Sequence, residues 1–171
     1  LLERFERAGM AAMTAVQPTP ARLLHQFGTM KGRATEHDDV YRVEAIEEKP
    51  TEEVARERLR TPNLPPNMYL CHFGMHVFPP AIFDAIEHLI DHDLRRGGEI
   101  QLTDAQEHLR TELLDGDYAA STIDGRRFDT GVPYGMMESQ IALALTGTHR
   151  GQIVESIARL LAEQLHGLAE R

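Results

Sequence analysis

Cysteine is nearly absent: Cys71 is the one thiol in the sequence. That excludes an internal disulfide and a secreted disulfide scaffold, and it fits a reducing compartment, so a cytoplasmic protein is expected. Long apolar runs are lacking as well. No segment approaches the ~20 apolar residues that a spanning helix needs, and no basic stretch leads into an apolar leader, so neither a membrane span nor a secretory signal is expected. Positive charge is in deficit, with 18 Lys and Arg against 27 Asp and Glu and a formal net charge of -9. A surface this acidic repels a phosphate backbone, and the basic residues do not cluster with aromatics, so no nucleic-acid partner is expected. The same deficit makes a demand on any small phosphorylated ligand: a local Lys, Arg or divalent metal must offset the field. Two phosphate-gripping patterns are missing, the alternating-glycine dinucleotide fingerprint and the glycine loop ending in Lys-Ser or Lys-Thr. No Ser-His-Asp or Cys-His constellation for nucleophilic catalysis is visible either.

What remains is an ordinary globular composition, 42% apolar and 26% charged over 171 residues, enough for one domain with a core. The first residue is Leu1, which fits a removed start or a piece of something longer. Residues 1–8 read as an amphipathic helix with Leu1, Leu2 and Phe5 on one face, stopped by Gly9. Residues 11–16 form an apolar run expected as a buried strand that Pro18 and Pro20 close, with Pro20 opening a short helix through residue 27. Residues 31–39 suggest a turn around Gly32, and residues 40–48 an alternating strand with Tyr41, Val43 and Ala45 on one face and Arg42 and Glu44 on the other. Residues 51–60 are charged, as in a surface helix or loop, and residues 68–78 are apolar and aromatic, as in a central strand. Pro79-Pro80 starts a helix over residues 79–90 with Ile82, Phe83, Ile86 and Leu89 inward. Thr103 is placed to N-cap a helix over residues 103–114, with Gln106 at the reciprocal capping position. Residues 118–123 read as a strand leading into the Asp124-Gly125 turn, and residues 132–145 as a helix. Residues 152–168 carry an apolar stripe of Ile153, Ile157, Leu160, Leu161, Leu165 and Leu168, suited to core packing or a dimer interface. Strands and helices interleave, so the fold class is α/β, with ligands expected where strands pass into helices.

Four segments carry candidate chemistry. In Glu47-Glu48-Lys49-Pro50, Lys49 can neutralise a phosphate and Glu48 can accept hydrogen bonds from sugar hydroxyls. Successive strand side chains point to opposite faces, so both reach one ligand only if the chain bends, and Pro50 makes that bend plausible. The run from Gly97-Gly98 to Asp104-Ala105 reads on its own as a glycine turn, a buried pair and a helix cap. In Arg127-Phe128-Asp129-Thr130-Gly131, Asp129 offers a hard oxygen suited to magnesium, and equally a local turn hydrogen bond. Cys71, His72 and His76 invite zinc, but strand alternation sets Cys71 opposite the two histidines and no fourth ligand is obvious.

In order, Glu48-Lys49-Pro50, Gly74, Pro80-Ala81-Ile82-Phe83, the run from Gly98-Glu99-Ile100-Gln101 to Leu102-Thr103-Asp104-Ala105, and Phe128-Asp129-Thr130-Gly131 resemble the sugar-1-phosphate nucleotidyltransferase family, of the UTP–glucose-1-phosphate uridylyltransferase kind. The resemblance implies the C-terminal half of such an enzyme. Its fold would be part of a nucleotide-diphospho-sugar transferase: a Rossmann-like three-layer sandwich, with a mixed sheet and flanking helices. Residues 1–147 would form the sugar-phosphate half and residues 148–171 an amphipathic helix for packing or oligomerisation. Lys49 would be the catalytic cation holding the sugar phosphate, Glu48 would bind sugar hydroxyls, and Gly28 and Gly74 would let backbone approach the sugar. Asp129 would be one of two carboxylates on Mg2+. The second aspartate and the nucleotide loop precede the matching region in the family. UTP, glucose 1-phosphate and UDP-glucose are the implied partners; a half sheet alone would expose edges and apolar surface, so pairing with a missing segment or another chain, as in a homo-oligomer, is expected. Because the attacking phosphate oxygen is already an anion, positioning and charge neutralisation suffice, without a strong protein base. The chain departs from the family at Tyr69 to Phe73 before the strand glycine, and at Val132-Pro133 after the metal motif. A non-catalytic sugar-nucleotide-binding or regulatory relative, or a nucleotidyltransferase of other specificity such as a thymidylyltransferase, are the alternatives.

Overall fold

The computed structural model describes residues 1–169, which fall into two compact units, Leu1–Asp124 and the residues from Gly125 onward. The first unit holds five strands: β1 (Ala12–Pro20), β2 (Thr29–Ala34), β3 (Val40–Glu47), β4 (Met68–Val77) and β5 (Tyr118–Thr122). Its helices are α1 (Leu2–Ala8), α2 (Glu52–Arg58), α3 (Ala81–Asp91) and α4 (Leu102–His108), with a 3-10 segment at Ala21–Gln26 and a π turn at Leu109–Leu113. The second unit contains α5 (Gly135–Ala144) and α6 (Arg150–Ala169).

The expected mixed sheet with flanking helices is present, but it is not the open sheet of a Rossmann-like sandwich. The strands close into a barrel in the order β1-β4-β2-β3-β5. The short strand β5 makes the closure by using both edges. It runs parallel to β1, with Ala12 opposite Tyr118 and Val16 opposite Thr122, and antiparallel to β3, with Val40 opposite Ser121. Bulges assist, because an extra residue bends a strand and increases its twist. One lies in β3, where Lys31 pairs with Ala45 but Gly32 already pairs with Val43.

That bulge corrects the alternation read from the sequence. Skipping Glu44 puts Val43 and Ile46 on the same side, in one buried cluster with Met30, Leu70 and Tyr118. Helices α3 and α4 cover this cluster through Ile82, Ala85, Leu89 and Ala105. Phe83, expected inward, is instead 71% exposed. A second cluster, Leu24, Ala55, Leu59, Tyr69 and Cys71, lies under α2 and the 3-10 segment; a third joins Met13, Val40 and Ala119 to Phe5 of α1.

Three further boundaries differ. Strand β1 continues through both prolines, with Pro18 opposite Leu70 and Pro20 opposite Met68. β5 pairs with β1 only as far as Val16, so the prolines fall where β1 has become an edge, and an edge tolerates a missing donor. The expected turn between two strands lies at residues 35–39, while residues 31–34 belong to strand β2, whose Lys31 and Arg33 pair with Glu44 at 3.0 and 3.5 Å. Helix α4 begins at Leu102 with Gln101 as its unassisted cap, so Thr103 is a helical residue and not the cap. In α6, Ile153 and Ile157 are half-buried within the second unit, while Leu160, Leu161 and Leu165 are exposed; the Leu168 side chain lies outside the described residues.

Candidate functional site

The site grows from the end of β3. Glu47 closes the strand, and Lys49 then takes a left-handed backbone conformation with φ of 44°. An L-residue rarely adopts this region, and such corners gather at ligand sites. The bend expected of Pro50 is therefore made one residue earlier, at Lys49. Its effect is the one the chemistry required: the consecutive side chains of Glu48 and Lys49 both line one open pocket of about 450 Å³, with Arg96, Gly97, Glu99 and Gln101. The Lys49 ammonium is half-exposed and stands 3.5 Å from Oε1 of Glu48. The Glu48 side chain is only 11% exposed, and its other oxygen accepts a 2.6 Å hydrogen bond from the Thr103 hydroxyl.

The opposite wall comes from the glycine-rich turn and the start of α4. Arg96 and Glu99 exchange backbone hydrogen bonds of 2.9 and 3.2 Å across Gly97-Gly98. The Arg96 guanidinium reaches Glu47 at 2.7 Å and Asp104 at 3.0 Å, and the Asp104 bond followed by Glu47 pushes its pKa further up. Strand end and helix start are thus tied twice, by Glu48 to Thr103 and by Glu47 through Arg96 to Asp104.

Behind this wall lies a buried polar group. The Gln106 amide nitrogen is 3.0 Å from Nδ1 of His76 and 3.5 Å from the Thr14 hydroxyl. Thr14 also contacts Nδ1 of His76 at 3.0 Å and the Tyr118 hydroxyl at 2.6 Å. Burial lowers the His76 pKa and raises that of Tyr118, so both are neutral at pH 7. Arg96, Thr14, Gln106 and Tyr118 carried no signal as site residues in the sequence. Thr103 carried one that pointed to capping.

Gly28 follows the 3-10 segment, and its carbonyl accepts the His72 N–H at 2.9 Å. A Cβ here would stand 2.7 Å from Nδ1 of His72 and 2.8 Å from the Thr103 hydroxyl. The space beside Gly28 is thus filled by the protein's own side chains, one of which holds Glu48. Gly74 has φ of +94° and open space beside it, at the point where β4 bulges between the pairs Thr14–His76 and Val16–His72. Neither glycine is among the residues lining the Glu48–Lys49 pocket.

Asp129 belongs to the second unit. It is exposed, and its Oδ1 accepts the Gly131 N–H at 2.9 Å, the local turn bond that was the alternative to metal binding. As a hard oxygen donor it fits magnesium as a single protein ligand, since that ion commonly takes one or two carboxylates plus phosphate oxygens. Among the described residues no three His, Cys, Asp or Glu side chains gather as a metal site. Zinc at Cys71, His72 and His76 finds no support, because Cys71 is buried against Thr29 and His76 is engaged by Thr14 and Gln106. Among the same residues no helix is long and apolar enough to cross a membrane.

The mixed sheet with α3 and α4 packed on it is a fold shared with solved UDP-glucose pyrophosphorylases. The structure superposes on a UDP-glucose pyrophosphorylase complexed with UDP-glucose at a TM-score of 0.61, with 20% identity, over 85% of this chain and 48% of that one. It superposes on a UTP-bound UGPase from Acinetobacter baumannii at 0.62, with 21% identity, over 92% and 47%. At such identities the likeness establishes the fold. The sequence adds the particular kinship: the chain is a relative of the UTP–glucose-1-phosphate uridylyltransferases. The enzyme of that name from Pseudomonas aeruginosa is 33% identical over 128 residues, 75% of this chain and 39% of the relative. That from Staphylococcus saprophyticus is 32% identical over 145 residues, 85% and 44%. A Bacillus subtilis enzyme of the same name is 27% identical over 96% of this chain and 50% of its own length. The chain therefore spans about half the length of the curated relatives it matches. No family model matches it.

Proposed function

We propose that this chain forms the sugar-phosphate side of a UTP–glucose-1-phosphate uridylyltransferase. The complete protein would transfer a uridylyl group from UTP to glucose 1-phosphate, giving UDP-glucose and pyrophosphate. One observation carries the reading: the left-handed corner at Lys49 turns an ammonium and a carboxylate, adjacent in sequence, into one pocket. Lys49 offsets the charge of the sugar phosphate in an otherwise acidic protein, and Glu48 accepts hydrogen bonds from sugar hydroxyls through the oxygen that Thr103 leaves available. Asp129 would hold Mg2+ by one carboxylate oxygen, and the metal, when bound, would neutralise developing phosphate charge. Gly28 serves the site by admitting Thr103, and Gly74 by keeping a backbone surface open beside β4. The exposed leucines of α6 support a homo-oligomer, and the lone, buried Cys71 supports a cytoplasmic location.

The test is Lys49→Ala in the complete enzyme. Removing the cation that holds the attacking sugar phosphate should lower kcat/KM by a factor on the order of a hundred or more. Near-normal turnover would remove Lys49 from the mechanism.

A further inference from the structure

We propose that Thr103 is a positioning residue that fixes the orientation of the Glu48 carboxylate and so sets the selectivity of the pocket for a sugar phosphate over a bare phosphate. This rests on the sugar-phosphate reading of the pocket and adds a residue to it.

Thr103 lies two residues inside the position where a threonine would cap α4, and Gln101 occupies the cap without a side-chain bond. It is 6% exposed, so its hydroxyl must find a partner inside the protein, and it donates to Oε2 of Glu48 at 2.6 Å. A hydroxyl given to a carboxylate is among the stronger hydrogen bonds a side chain makes. It occupies one oxygen and fixes the plane of the group. Oε1, on the Lys49 side, is then the oxygen left for ligand hydroxyls. Thr103 is itself held from two sides. The missing side chain of Gly28 leaves room for its hydroxyl, and the next residue, Asp104, is locked to Glu47 through Arg96. Lys49 already stands 3.5 Å from Oε1, and without the Thr103 hydroxyl the released Oε2 is free to turn onto the same ammonium, so that both oxygens close on Lys49. That would remove the sugar-binding acceptor while leaving a phosphate-binding pocket.

The test compares two ligands on one protein. Dissociation constants for glucose 1-phosphate and for inorganic phosphate are measured by NMR titration of the full chain and of Thr103→Val, Thr103→Ser and Glu48→Gln. The wild type should favour glucose 1-phosphate. Thr103→Val, close in shape but without the hydroxyl, should weaken glucose 1-phosphate about tenfold, as expected for loss of a hydrogen bond to a charged group, and leave inorganic phosphate nearly unchanged. Thr103→Ser, which keeps the hydroxyl, should restore the preference. A purely structural role would weaken both ligands together or neither, and would not be rescued selectively by serine; either result overturns the proposal. If Glu48→Gln loses the preference while Thr103→Val keeps it, the positioning role fails and the sugar-binding role of Glu48 stands. If Glu48→Gln keeps the preference, or the wild type does not bind glucose 1-phosphate, the sugar-phosphate reading fails with it.

Discussion

Gly28→Ala tests how tightly the site is built into the fold. The added methyl would lie 2.7 Å from Nδ1 and 2.8 Å from Cε1 of His72, and 2.8 Å from Oγ1 of Thr103. Carbon atoms pack best at about 3.5–4.0 Å, so a shift of roughly 0.7 Å or more is required. Neither neighbour yields readily. The backbone N–H of His72 is bound to Gly28 itself, and its ring meets the His76 ring edge-on at 5.6 Å. Thr103 sits in a helix and is bonded to Glu48. Overpacking of this kind costs about 1–3 kcal/mol. For a unit the size of Leu1–Asp124, each kcal/mol corresponds to roughly 4 °C, so Tm should fall by about 4–12 °C. The second consequence is functional: pushing Thr103 away from Gly28 disturbs its bond to Glu48, so glucose 1-phosphate affinity should fall even at temperatures where the variant is folded. Thermal unfolding by circular dichroism and the same NMR titration read the two effects. A variant with unchanged Tm and unchanged affinity would show that His72 and Thr103 do not fill this space in solution, and the account of Gly28 would be wrong.

Tyr118→Phe removes a fully buried hydroxyl bonded to Thr14 at 2.6 Å, and should cost about 1–2 kcal/mol in urea unfolding; an unchanged midpoint would refute the polar network behind the site. The same network predicts a pH dependence. Burial holds the pKa of His76 below the ordinary 6.5, so the unfolded chain binds a proton that the folded chain refuses. This contribution is complete above pH 6.5 and is lost as pH falls through that value toward the lowered one. Stability of the wild type should therefore decline with acidity more steeply than that of His76→Gln between about pH 7 and 5. Some slope will persist in the variant, because burial and then the neighbouring His108 and His92 also lower the pKa of His88. Parallel slopes for the two proteins would show that His76 is not held neutral.

Much of this architecture is written locally. Gly9 ends α1 in a left-handed conformation, Pro80 leads into α3, and the apolar segment that became β4 is central because it pairs with both β1 and β2. Barrel closure was not legible, because it depends on which strand supplies the second neighbour of β5, and no pattern inside residues 118–122 encodes that choice. The β3 bulge was hidden for a related reason: strict alternation assigns Val43 and Ile46 to opposite faces, and the register with β2 returns them to the same one. Glu48 and Lys49 were readable as a pair because the chemistry needs both charges together. Thr14, His76, Gln106 and Tyr118 were not, since they come from four elements and meet only after the chain has folded.

The behaviour of α4 explains why the most specific motif in the chain was also the one most open to misreading. In one turn it buries Thr103, Ala105 and Gln106, and of these three only alanine is apolar. The helix is therefore located largely by directional bonds: Thr103 to Glu48, Asp104 to Arg96, and Gln106 to His76 and Thr14. Apolar packing tolerates small slides, whereas a hydrogen bond weakens steeply with misalignment. A helix held in this way transmits the geometry of the core to the pocket. The contact of Tyr118 with Thr14 reaches Gln106, three residues along the same face from Thr103, and Thr103 sets Glu48. The side chains of such a motif hold other residues in place, so they resemble caps and turn formers when read alone. The orientation of a carboxylate some fifty residues earlier in the sequence is the function that accounts for them together.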